Sequence, residues 1–143
     1  MIGRTVRNAG VPGEVTADGL ARLPTVLDEV RPALVVLCHG GNDMLQGLSN
    51  EKTSENLRQM IRVTRERGAD IILVGVPQPG LGLSTARFYR RIAGELAVPY
   101  EGHVSEDILS KRALKSDAIH PNAAGYRRMA EAVARVIRES GGV

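Results

Sequence analysis

Two short apolar runs, Leu34–Cys38 and residues 71–76, constrain the fold of this chain more than any other feature. Both are rich in branched aliphatic residues, and turn formers flank them: Pro32 and Gly40-Gly41 around the first, Gly68 before and Pro77 after the second. Continuous apolar runs of this length mark strands buried on both faces, as in a parallel sheet. Amphipathic stretches separate them. From Thr16, read as an N-cap, Leu20, Leu23, Leu27 and Val30 recur at helical spacing, with a kink or restart expected at Pro24. A second helix is expected at about 53–67, with Leu57, Met60, Ile61 and Thr64 inward and Gly68 as its stop. Residues 5–8 read as a short strand, 84–96 as a helix, 98–100 as a brief strand and 101–121 as irregular. A last helix at about 122–140 is expected to bury Tyr126, Met129, Val133, Val136 and Ile137. Strands alternating with helices make βαβ units, so the expected fold class is α/β: three layers, αβα, around a parallel sheet.

Composition narrows the function classes. At 143 residues the chain is one domain, with 43% hydrophobic and 24% charged residues, as in an ordinary globular protein. Three Tyr, one Phe and no Trp argue against base-stacking platforms and aromatic carbohydrate clefts. The net charge of +3 comes from arginines dispersed among Glu and Asp on the expected helices, which reads as solvated faces and not as a nucleic-acid surface. A single cysteine, Cys38, rules out an internal disulfide and a multi-Cys zinc site, and its apolar surroundings predict a buried, inert thiol. His39, His103 and His120 form no metal-ligand pattern, so no metal and no cofactor is expected. No apolar stretch approaches the ~20 residues of a membrane span.

In open α/β sheets ligands bind beyond the carboxyl ends of the strands, and three unusual loops are expected near there. Residues 117–122 read Asp-Ala-Ile-His-Pro-Asn just before a helix. Asp117 and His120, three residues apart, can fold so that the carboxylate accepts from Nδ1 and leaves Nε2 free as a general base. The plainer alternative makes Asp117 and Asn122 turn caps. In residues 39–43, Gly40-Gly41 permits a sharp turn that presents Asn42 to a developing oxyanion; the alternative is a simple helix cap. Gly13 offers a backbone N–H to the same oxyanion, or is only a turn glycine. His39, beside the glycines, reads as a packed, hydrogen-bonded histidine. Gly82-Leu83-Ser84-Thr85-Ala86 is similar to a nucleophile elbow, making Ser84 a weak candidate nucleophile, although Pro77–Gly80 separates it from the strand end that an elbow requires. Gly80-x-Gly82 is similar to a dinucleotide loop, but Thr85 stands where its third glycine belongs.

Taken in order, Asn8-Ala9 with Gly13, Gly40-Gly41-Asn42-Asp43 and Asp117-x-x-His120-Pro121-Asn122 resemble the SGNH (GDSL-type) hydrolase family. The likeness extends to Gly19-Leu20-Ala21-Arg22-Leu23-Pro24 and Pro121-Asn122-Ala123-Ala124-Gly125, and is closest to bacterial arylesterases and acyl-CoA thioesterase/lysophospholipase enzymes. The resemblance implies a flavodoxin-like sheet and a serine ester hydrolase working through an acyl-enzyme on small acyl esters or thioesters. It implies His120 as base, Asp117 as its orienting partner, and Gly13 and Asn42 as oxyanion donors. The family's Gly-Asp-Ser block, which supplies the nucleophile at the end of a first, central strand, does not occur in the sequence.

Residues 1–143 are therefore expected to be an N-terminally incomplete SGNH domain, inactive as given, with an exposed sheet edge that favours a homodimer. The alternatives are a non-catalytic SGNH-like interaction domain, an esterase using Ser84, or a nucleotide-binding α/β protein. As written the chain carries no leader and reads as cytoplasmic; an upstream signal peptide would make it periplasmic or secreted.

Overall fold

The fold follows from where the two apolar runs pair. The computed structural model describes residues 2–80 and 82–141. Leu34–Cys38 (β1) and Asp70–Val74 (β2) lie parallel in register, Val35 opposite Ile71 and Leu37 opposite Leu73, and β2 pairs on its other side with the short Tyr100–Glu101 (β3). The sheet order is β1-β2-β3. Helices Thr16–Val30 (α1), Asn50–Glu66 (α3) and Arg87–Leu96 (α4) form one layer; Val104–Leu109 (α5) and Ala123–Glu139 (α6) lie on the other side, and Gly41–Leu45 (α2) caps the end of β1. This is the expected three-layer α/β arrangement around a parallel sheet. Among the described residues no helix is long and apolar enough to cross a membrane.

The core lies mainly between the sheet and α3–α4. Leu57, Ile61, Leu73, Tyr89 and Ile92 are completely inaccessible there, joined by Leu37 and Met60. The apolar positions of α3 fall on one face, and Ser49 caps its first turn by accepting the Lys52 N–H. A smaller cluster of Val104, Ile108 and Ala132 joins α5 to α6.

Several expectations are corrected. Residues 5–8 form no strand: they are exposed and have no ladder partner, and a strand without a neighbour has no stable hydrogen bonding. Thr16 does not cap α1; it is the first helical residue, after Val15, and is fully buried against Asp43. Helix α1 does not restart at Pro24 but continues through it as one element. Residues 101–121, expected to be irregular, contain α5 and a short 3-10 turn, Arg112–Leu114. The Glu101 carboxylate holds the start of α5, accepting the N–H groups of His103 and Val104. Tyr126, expected inside, is 55% exposed.

Cys38 is also exposed, contrary to the buried thiol expected. Val36, two residues earlier on the same face, is 44% exposed. The reason is that β1 has a strand neighbour on one side only, and α6 packs over β2 and β3 rather than over β1. Cys38 nevertheless sits in a crowded hollow, whose desolvation pushes its thiol up to about 11 and keeps it protonated near neutrality.

Candidate active site

The loop between the 3-10 turn and α6 is built by short-range bonds. Lys115 and Pro121 bridge its two arms, the Ser116 N–H donates to the His120 carbonyl at 2.9 Å, and the Asn122 side chain caps α6 by accepting the Gly125 N–H. At its tip the Asp117 carboxylate accepts the N–H groups of Ile119 (2.8 Å) and His120 (2.9 Å). It also holds the ring of His120, whose Nδ1 stands 2.8 Å from Asp117 Oδ2. The Ile119 N–H first and the His120 ring second keep the Asp117 carboxyl below its ordinary range. An ionised carboxylate at Nδ1 favours the tautomer with its proton there, leaving Nε2 as the acceptor. Both side chains are more than half exposed, so Nε2 faces accessible space.

A second group forms where α1, β1 and α2 meet. Gly40 turns the chain at the end of β1 with φ of 103°, and an added Cβ would stand 2.6 Å from the Tyr89 hydroxyl. That hydroxyl donates to the His39 carbonyl at 2.6 Å and fixes the turn. Asn42 and Asp43 follow on α2. Asp43 is buried and accepts from both the N–H (2.8 Å) and the hydroxyl (2.6 Å) of Thr16, which ties α2 to the start of α1. Asn42 Nδ2 donates to the Glu14 carbonyl at 3.0 Å, so its side chain adjoins the Glu14–Val15 peptide, one residue on from Gly13. The Gly13 N–H itself donates to no described residue.

The side chain of Glu14, only 9% exposed, was missed by sequence reasoning. It accepts from Arg22 Nε at 2.9 Å and pairs with His39 Nε2 at 3.1 Å, while Arg22 also reaches the Ala9 carbonyl. Arg22 and then His39 hold its carboxyl below the ordinary value against desolvation. Room for this trio comes from Gly19, where a Cβ would lie 2.5 Å from His39 Nε2. The network pins the loop carrying Gly13 beside Asn42. The Gly-Leu-Ala-Arg-Leu-Pro stretch contained Arg22 but carried no sign of its partner.

The structure therefore pairs Asp117 with His120 and ties Asn42 to Glu14, the residue after Gly13, and no hydrogen bond or ion pair among the described residues links the two groups. Ser84 lies in the loop between β2 and α4, where its carbonyl accepts the Gln78 N–H; its hydroxyl makes no bond to His120. Ser116 is near His120, but its hydroxyl donates to the backbone carbonyls of His120 and Pro121. Among the described residues no group of His, Cys, Asp and Glu could hold a metal ion.

Residues 1–128 match the family described as the GDSL-like lipase/acylhydrolase family. The chain belongs to that family. It is 34% identical over 134 residues to esterase TesA of Pseudomonas aeruginosa, covering 90% of this chain and 67% of that protein. It is 31% identical over 124 residues to thioesterase 1/protease 1/lysophospholipase L1 of Escherichia coli strain K12, covering 82% of this chain and 60% of that protein. The chain thus spans 60% and 67% of the length of these two curated relatives. A crystal structure of TesA superposes with a TM-score of 0.80 at 31% identity, covering 96% of this chain and 81% of that one. These relatives are named as an esterase and as a thioesterase and lysophospholipase.

Proposed function

We propose that the two groups are parts of one serine-type ester hydrolysis site acting on small acyl esters or thioesters, whose attacking serine comes from a Gly-Asp-Ser segment not present in these 143 residues. His120 Nε2 takes the serine proton as the hydroxyl attacks the acyl carbonyl. Asp117 holds the imidazole by Nδ1 and stabilises the imidazolium that forms. The Gly13 N–H and Asn42 Nδ2 donate to the oxyanion of the tetrahedral intermediate; each such donor is typically worth ~10²–10³ in turnover. His120 then returns the proton to the leaving group, and water, activated by the same imidazole, releases the acyl group. Residues 1–143 form one such domain, with the open edge of β1 as the place where a further strand, or a second copy of the chain, pairs.

The observation that carries this reading is the Asp117–His120 bond, which orients the ring and leaves Nε2 unoccupied. Fluorophosphonate labelling with peptide mapping tests it, because the reagent bonds only to a serine activated by a neighbouring base. The 143 residues alone are expected to take up no label, whereas the same residues carrying a Gly-Asp-Ser segment are labelled on that serine alone. Label on Ser84 would overturn the assignment of the nucleophile.

A further inference from the structure

A cleft in the described structure contains Ser84 but none of Asp117, His120, Gly13 and Asn42. It has a volume of about 650 Å³ and lies between the start of α3, the loop from Gln78 to Thr85 and the first turns of α4. Arg58, Arg87 and Arg91 line it, together with Ser54, Gln78 and one carboxylate, Glu51. Arg58 is engaged by Glu95 at 2.9 Å. Glu51 is turned to its own helix start, where it accepts from the Ser49 hydroxyl. Arg87 and Arg91 have no hydrogen-bond or ion-pair partner among the described residues, and both are exposed on the cleft side of α4.

At Arg87 and Arg91 that arrangement has a cost that no ion pair among the described residues offsets. Arg87 and Arg91 are four apart on one helix, a spacing at which like charges repel. The first turn of α4 contains no acidic residue that would complement its free N–H groups, and no side chain caps it. Three guanidiniums around a concave surface with low-dielectric walls concentrate positive potential in the cleft. Guanidinium forks match phosphate oxygens two at a time, and a tetrahedral phosphate has oxygens enough for more than one fork.

We propose that this cleft binds a phosphate group, held chiefly by Arg87 and Arg91 with Arg58 at its floor. The site is separate from the ester-cleaving reading and stands whether or not that reading holds, since Asp117, His120, Gly13 and Asn42 are not among its lining residues. Gln78, Pro79, Gly82, Ser84 and Thr85 form one wall, which gives Gly82 a ligand-facing role different from that of a dinucleotide turn.

Calorimetric titration of the 143-residue chain with inorganic pyrophosphate, and separately with glycerol 3-phosphate, tests the site. Both anions are expected to bind saturably at one site, the tighter one showing whether a free or an ester-linked phosphate is preferred. Arg87→Gln and Arg91→Gln are each expected to weaken binding about tenfold, the order of one charge-assisted contact, with melting temperatures unchanged because both side chains are exposed. Arg135→Gln, on exposed α6 and outside the cleft, serves as the charge control and is expected to leave binding unaltered. Absence of saturable binding, insensitivity to Arg87→Gln and Arg91→Gln, or an equal loss in Arg135→Gln would each overturn the proposal.

Discussion

At Asp117 one carboxylate accepts from two backbone N–H groups and holds one imidazole, so capping the turn and fixing the ring are compatible in the same residue. The turn requires the carboxylate, and the carboxylate in that place positions the ring. The neutral His120 ring is accordingly expected to carry its proton on Nδ1, as read from ¹⁵N ring shifts. Asp117→Ala is expected to return it to a mixture of tautomers, and an unchanged spectrum in that variant would count against the pairing. Acid stability has a definite sign too. The Glu14 and Asp117 carboxyls are held below their ordinary values, so near the ordinary carboxyl range the unfolded chain binds more protons than the folded one. Their contribution is complete at neutral pH and is lost as pH falls below the ordinary values of 4.5 and 3.8 toward the lower folded ones. Urea midpoints followed from about pH 7 to about pH 3 are expected to fall less steeply in Glu14→Gln than in the parent; parallel curves would show that Glu14 is not linked in this way. The Asp117–His120 spacing was legible because its partners are three residues apart. The Glu14 network was not, because Arg22 and His39 lie 8 and 25 positions away and only the fold brings them together.

Among the elements, α1 and α2 are joined by a buried carboxylate. Asp43 lies 2% exposed against the backbone and hydroxyl of Thr16, with Thr53 adding a longer contact. Asp43→Ala would strand those donors in the interior, at about 1–3 kcal/mol for each left unsatisfied. Chemical denaturation is expected to show a loss in that range or above; a change under ~0.5 kcal/mol would mean the contact is not structural. In α3, Leu57 is wholly enclosed, and Leu57→Ala is expected to cost about 2–5 kcal/mol by the same measurement. The long, strongly periodic elements were readable from sequence, since the buried faces of α1 and α3 repeat at helical spacing. What periodicity could not reveal was α5, six residues long and started by the preceding Glu101 rather than by its own cap. The failure of residues 5–8 to form a strand has the opposite cause: their sequence permits pairing, but no described strand lies beside them.

Across the whole molecule, three parallel strands, two helical layers and the loops at the strand ends reproduce the architecture of the SGNH esterases. The asymmetry lies at β1, paired on one side and carrying exposed Val36 and Cys38 on the face that α6 leaves bare. The fold class and family were legible because the order of three loops is specific even where each loop alone is not. The proposed hydrolytic site depends on a Gly-Asp-Ser segment and on a strand that pairs with the open edge of β1. Nitrophenyl acetate turnover tests that most directly, measured for the 143 residues, for the same residues joined to a strand–Gly-Asp-Ser–helix segment, and for the joined form with His120→Ala. The expected result is background turnover for the 143 residues alone and turnover in the joined form that His120→Ala lowers by ~10³-fold or more. Turnover by the 143 residues alone that His120→Ala abolishes would contradict the need for an outside serine and place the nucleophile among the serines already present.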